Sequence, residues 1–225
     1  MKATIASLIF LLLSLAVSSQ TYKYIGIEEG LSNQKIYRIQ KDARGYMWFL
    51  THVGIDRYNG KEIKHYKLKE GDRELDPLLN INWTYLDKTG TLLVTGKQGR
   101  IFRYDSGHDR FVQIYSMYNY WNKDYHAFVR YSYIDQESNV WLCGKSAIHL
   151  FNIESGQKQR ISNRLGNITC IEQINSEHFF IGTDKRIYLV KLENGNLKEL
   201  SCGKLEMMDM HVHELYLHRT ATNYL

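Results

Sequence analysis

The 225-residue sequence contains one proline, Pro77, and three cysteines, Cys143, Cys170 and Cys202. A single proline excludes a Pro-rich linker, and no Gly/Ser-rich or low-complexity stretch divides the chain, so it reads as one domain. The cysteines are odd in number and include no Cys-x-x-Cys pair, which leaves at most one bridge, Cys170 with Cys202, in an oxidising compartment. Charge of one sign is also scarce. The net +5 is spread over most loops among acids such as Glu70, Asp72, Glu74 and Asp76, with no basic stripe or reading motif, so no nucleic-acid partner is expected. A Gly-rich phosphate loop and a nucleophile elbow are both absent. The one long apolar run, residues 5–17, is too short for a comfortable membrane span. After Met1-Lys2 and before Ser18-Ser19 it reads as a secretory signal peptide over 1–19, the alternative being an uncleaved anchor.

Aromatic residues are plentiful: 17 Tyr, 8 Phe and 4 Trp. They fall into a repeat. In the first copy Asp42 precedes a turn at Gly45, and 46–51 is an aromatic and β-branched strand carrying Trp48. A second strand covers 55–58. Asn59-Gly60 is the dipeptide suited to a two-residue hairpin with positive φ at both positions, and a third strand covers 63–66. Asp87 and Gly90, then Asp135 and Asn139, open the second and third copies, and Phe180-Ile181-Gly182-Thr183 gives the strand of a fourth. Trp48, Leu93, Trp141 and Phe180 recur at intervals of 45, 48 and 39 residues, while the turn glycines Gly60, Gly107, Gly156 and Gly195 recur at 47, 49 and 39. Two independent markers shift in step. A period of roughly 40 to 50 residues of short strands and turns predicts an all-β fold, a β-propeller of about four to five blades over 20–225, with Trp48 and Trp141 buried between blades. Residues 205–217 resemble the opening strands of a fifth copy, and the expectation is that the chain stops inside that blade.

The pattern Asp-x-x-Gly-x-x-Trp-Phe-Leu-Thr-x-x-Gly-Ile-x-Arg-Tyr-x-Gly, preceded by Gly30-Leu31-Ser32, closely resembles the two-component regulator propeller repeat. That resemblance implies the periplasmic sensor region of a hybrid regulator of Bacteroides-type bacteria. Its ligands would be glycan breakdown products, and its partners the rest of the sensor and a membrane-anchored kinase, with the full-length protein a homodimer. This chain holds no histidine-kinase box and no receiver-type acidic pocket, so neither activity is expected in it. Rival readings are a secreted scaffold for protein interaction and a propeller carbohydrate-active enzyme.

Catalytic residues and cofactors are not expected. Asp42, Asp87 and Asp135 occupy one repeat position in three copies, which favours a structural role in which the side chain holds the turn by hydrogen bonds to the backbone. Cys143 falls where other copies carry Leu50, Thr95 or Gly182 and reads as a small buried hydrophobe. The repeat is stretched at 71–79, a charged segment expected to be a solvated loop, and at 115–128. In the second stretch Tyr118, Tyr120 and Trp121 stand beside Asn119, Asn122 and Asp124. Aromatic faces beside amide and carboxylate groups suit sugar rings, and the other reading of these rings is packing over a blade rim. His211 and His213 would share a strand face, but no further ligand completes a metal set, and no metal is expected. Asn82-Trp-Thr84 and Asn167-Ile-Thr169 match the glycosylation acceptor pattern and read as ordinary strand and turn residues in a bacterial protein.

Overall fold

The computed structural model describes residues 22–117 and 128–204. They form four four-stranded antiparallel sheets, each a meander of consecutive strands. The first contains β1 (Ile36–Lys41), β2 (Met47–Thr51), β3 (Ile55–Tyr58) and β4 (Ile63–Tyr66). A small hairpin, β5 (Lys69–Glu70) and β6 (Arg73–Glu74), and one helical turn, α1 (Pro77–Asn80), lead to the second sheet. That sheet contains β7 (Trp83–Leu86), β8 (Leu92–Thr95), β9 (Arg100–Asp105) and β10 (Arg110–Ser116). The third contains β11 (Tyr131–Ile134), β12 (Asn139–Cys143), β13 (Ala147–Asn152) and β14 (Lys158–Ser162). The fourth contains β15 (Ile168–Gln173), β16 (His178–Thr183), β17 (Arg186–Glu193) and β18 (Asn196–Lys204). First strands of adjoining sheets lie side by side, β1 with β7 and β11 with β15, so the sheets fan out as propeller blades. The signal-peptide segment and the fifth copy lie outside the described residues.

A sheet stacked on both faces needs apolar residues on both, and the middle strands meet that demand. All four residues of β8 are buried, as are Val140, Trp141, Leu142 and Cys143 of β12. The outermost strands β4 and β14 are largely exposed. Three apolar clusters fill the interfaces. Trp48, Leu50 and Ile55 meet Leu92, Val94 and Phe102 between the first and second sheets. Ile101, Tyr115 and Met117 meet Val140, Leu142 and Phe151 between the second and third. Trp141, Cys143 and Ile148 meet Phe179, Ile181 and Ile171 between the third and fourth. Trp48 and Trp141 are both 0% exposed. Trp48 packs on Tyr104 of the next sheet at 4.7 Å between ring centroids, and Trp141 on Phe179 of the next at 4.8 Å.

The four copies superpose in register. The N–H groups of Asp42, Asp87, Asp135 and Ile174 donate to the carbonyls of Tyr46, Thr91, Asn139 and His178, closing the same first turn four times. Trp48, Leu93, Trp141 and Phe180 then sit opposite Arg57, Arg103, Leu150 and Leu189 in the third strands. Because strand side chains alternate, Phe179 faces Trp141 and Phe180 turns to the other face of its sheet, where it is half-buried.

Four expectations need correction. Asn59-Gly60 is not a two-residue turn. Asn59 Oδ1 accepts from the N–H groups of Lys61 and Glu62, both at 2.9 Å, which spreads the connection over 59–62, and only Gly60 takes a positive φ there. Among the described residues the two-residue form occurs only in the fourth sheet, where Asn194 and Gly195 have φ of 47° and 76°. In the third copy the residue matching Gly45 (φ 85°) and Gly90 (φ 75°) is Ser138 (φ 67°), not Asn139. Segment 71–79 is not a plain loop: Asp76 caps α1 by accepting from the Leu78 N–H at 2.9 Å, Pro77 opens the helical turn, and Leu75 is buried. Cys170 and Cys202 remain free thiols. They stand on the first and fourth strands of one sheet, about 14 Å apart at the usual strand spacing, twice the reach of a disulfide.

Candidate functional site

In an antiparallel meander the β1–β2 and β3–β4 connections share one end of the sheet, while the β2–β3 connection and the links between sheets share the other. The repeated aspartates lie at the first end. Asp42 Oδ1 accepts from the N–H groups of Arg44 and Tyr46 at 2.9 and 3.0 Å, and Oδ2 from Trp48 Nε1 at 2.8 Å. Asp135 repeats this with the Asn139 N–H at 2.7 Å and Trp141 Nε1 at 2.9 Å. The second copy has no indole, because Leu93 stands in that place. There Asp87 takes the Thr89 and Thr91 N–H groups at 2.9 Å and pairs with Arg103 at 2.6 Å. Those hydrogen bonds and the guanidinium hold the Asp87 carboxyl below the usual carboxylate range, against the opposing effect of its burial. Each carboxylate is occupied by turn and strand, so none is presented to a substrate.

The motif residues Ser32 and Asp56, near the β2–β3 connection of the first sheet, are also engaged. Ser32 donates through its N–H and its hydroxyl to Asp56 Oδ2 at 2.7 and 2.9 Å, and His65 Nδ1 meets Asp56 Oδ1 at 2.8 Å. Asp56 is 0% exposed. The carboxylate sits between serine and histidine, so the histidine does not reach the serine hydroxyl, and the order required for nucleophilic catalysis is absent. The trio fastens segment 22–35 to β3 and β4.

The richest polar cluster involves Asp109, which lies outside the repeat motif. Asp109 takes a left-handed φ of 50° in the β9–β10 connection. Its carboxylate accepts from Arg57 at 2.9 Å and Tyr66 at 2.6 Å, and also from Tyr104 and Lys64. These donors hold the Asp109 carboxyl well below the usual range despite partial burial, and burial together with the Asp109 hydrogen bond pushes the Tyr66 hydroxyl well up. Arg57 also lies over the ring of Tyr46, 4.6 Å from its centroid. Sequence reasoning missed this cluster because Arg57 and Asp109 stand on different blades, with nothing in the spacing to pair them.

At the opposite end, the aromatic segment singled out in the sequence has both its feet on one connection. The Met117 N–H donates to the Gly99 carbonyl at 3.1 Å and the Val129 N–H to the Lys97 carbonyl at 2.8 Å. The chain thus leaves and re-enters at the β8–β9 turn. Tyr118, Asn119, Tyr120, Trp121, Asn122 and Asp124 themselves lie outside the described residues, as do His211 and His213. Tyr115 belongs to the core: it is buried and stacks on Phe151 at 4.8 Å with ring planes 24° apart. Phe128, at the returning foot, is 53% exposed. Among the described residues no group of three or more His, Cys, Asp and Glu is placed to hold a metal ion, and no helix is long and apolar enough to cross a membrane.

Residues 30–52 match the two component regulator propeller family, from Gly30-Leu31-Ser32 through Asp42, Gly45 and Trp48 to His52. The fold is similar to the extracellular domain of the hybrid two component system BT3049 from B. thetaiotaomicron, with a TM-score of 0.60 and 18% identity over 80% of this chain and 26% of that one. The extracellular domain of BT4673 from the same organism aligns over 81% of this chain and 31% of that one, with a TM-score of 0.45 and 12% identity. The dihydro-heme d1 dehydrogenase NirN, in complex with DHE, aligns over 79% of this chain and 38% of that one, with a TM-score of 0.58 and 12% identity. No curated protein matches the sequence. The chain thus spans about a quarter of the BT3049 structure, and at these identities the likeness speaks for the fold. Taken with the four stacked meanders, it makes the chain a β-propeller, of which residues 30–52 match the two component regulator propeller repeat.

Proposed function

We propose that this chain is part of the ligand-sensing propeller of a hybrid two-component regulator, working in the periplasm after removal of residues 1–19, and that its ligand is an oligosaccharide. The observation that carries the reading is the regulator-propeller match at 30–52 on a fold shared with an extracellular domain of such a system. The propeller fold alone does not decide, since the NirN dehydrogenase has it too. The chemistry of the residues favours binding over catalysis: the repeat aspartates are spent on turns, and Asp56 separates Ser32 from His65. The kinase, and the remainder of the sensor, are the partners this reading requires.

Tyr118, Tyr120 and Trp121 are proposed to stack on sugar rings, with Asn119, Asn122 and Asp124 pairing the hydroxyls. Support comes from the two feet at Lys97 and Gly99, which hold the segment at the end where the links between sheets gather, and links of that kind carry binding residues in rigid scaffolds. Calorimetric titration of the full chain and its Trp121→Ala variant against a panel of neutral oligosaccharides tests this. Removing one anchoring aromatic should weaken binding by about 1 to 3 kcal/mol with the fold intact. Unchanged affinity for a saccharide that binds moves the site elsewhere, and an unfolded variant returns the segment to packing.

A further inference from the structure

A second feature faces solvent on the outer flank. A groove of about 580 Å³ runs between β4 of the first sheet and β10 of the second, and none of its lining residues belongs to the 115–128 segment. It exists because the outermost strands of neighbouring blades splay apart as the sheets fan out. Tyr66 and Phe111 form its floor, their rings edge to face at 5.7 Å and 85°. Asp109 closes one end, and the β5–β6 hairpin closes the other with Lys69 and Glu70.

The charges of the groove do not balance. Its two carboxylates are each already shared by two cations: Asp109 by Arg57 and Lys64, Glu70 by Arg73 at 2.7 Å and Arg100 at 3.3 Å. Lys67 is matched by Glu74 at 2.7 Å. Lys69, whose cross-strand neighbour Glu74 is taken by Lys67, and Arg110, next to Asp109, both line the groove and have no carboxylate within ion-pair distance among the described residues. The acids are over-subscribed, so these two cations and the surplus on Asp109 and Glu70 leave the groove positive above an aromatic floor. Carboxylate and sulfate groups suit such donors, with guanidinium giving the directional contact and ammonium the point charge.

We propose that this groove binds an anionic group, a carboxylate or sulfate, carried by an acidic saccharide. The anion chemistry stands on the groove alone, while the saccharide as its carrier rests on the oligosaccharide-sensing reading above. The test titrates the full chain with hexagalacturonate, with its fully methyl-esterified form and with sodium sulfate, using wild type, Lys69→Glu/Arg110→Glu and Trp121→Ala. Hexagalacturonate should bind wild type, weaken as salt is added, and bind the double charge reversal about tenfold less well. The ester should not bind, and Trp121→Ala should leave hexagalacturonate binding unchanged. Equal binding of acid and ester, or full binding by a charge-reversed variant with a wild-type unfolding profile, overturns the proposal. Loss of hexagalacturonate binding in Trp121→Ala also overturns it, by placing the ligand on the aromatic segment. Sulfate binding that is lost on charge reversal, with no hexagalacturonate binding, upholds the anion site and refutes the saccharide carrier; neutral oligosaccharides binding through Trp121 with no anion effect refutes the groove and leaves the sensing reading standing.

Discussion

Replacing Asp135 by alanine removes one acceptor from three donors at once: the Asn139 N–H at 2.7 Å, Asn139 Nδ2 at 2.8 Å and Trp141 Nε1 at 2.9 Å. The consequences differ by burial. Asn139 is half-buried and its side-chain amide can turn to water, whereas the Trp141 ring is 0% exposed and its N–H cannot. A hydrogen bond to a charged group contributes about 1.5 to 3 kcal/mol, and a buried donor left unpaired costs about 1 to 3. Counting the Asn139 backbone and the indole gives an expected loss of about 3 to 5 kcal/mol, read from urea denaturation followed by far-UV circular dichroism. A cycle with Trp141→Phe isolates the indole bond, with an expected coupling of about 1 to 2 kcal/mol. The second blade supplies the control: Leu93 stands where Trp141 does, so an Asp87/Leu93 cycle should show no such coupling. A loss below about 1 kcal/mol for Asp135→Ala, or no coupling to Trp141, would refute the claim that the carboxylate fastens turn to blade interface.

Two further predictions concern titration and thiols. His149 is 1% exposed, and burial, reinforced by the positive charge of Arg160, pulls its pKa down to about 4. Between pH of about 6.5 and about 4 the unfolded chain takes up a proton that the folded chain refuses, so stability should fall as pH drops through that window, by up to roughly 3 kcal/mol, and be unaffected by this group above it. Urea midpoints at several pH values should show the fall, and His149→Leu should flatten it; an unchanged profile would count against burial of a neutral ring. In native protein without reductant, a thiol reagent should label exposed Cys202 and leave Cys143 and Cys170 unreacted, because burial raises both their pKa values. After unfolding all three should react, and a missing Cys170 and Cys202 pair would reveal a bridge that the strand order forbids.

How much of this was legible in the sequence depends on where each residue's partner lies. The blade strands could be read because Trp48, Leu50, Trp141 and Ile148 must be apolar to sit between stacked sheets, and Asp42 and Asp135 because their turn and indole partners lie within six residues. The turn at Asn59 was misread since the same dipeptide serves both a two-residue hairpin and an Asx-type connection, and only the side-chain bonds to Lys61 and Glu62 decide between them. The hairpin and helical turn within 69–80 escaped because a charged sequence conceals inward-facing Leu75 and the cap at Asp76. The Asp109 cluster and the outer groove arise only when neighbouring blades meet, and such contacts between residues about fifty positions apart leave no periodic trace.

The central claim is that a regulator propeller senses a saccharide through the segment mounted on residues 97–99. Hydrogen–deuterium exchange of the full chain, with and without a neutral oligosaccharide shown by calorimetry to bind, tests it most directly. The account predicts added protection in peptides covering 97–99 and 115–130, with the core strands β8 and β12 unchanged. Protection confined to other regions, with none at 97–99 or 115–130, would contradict it.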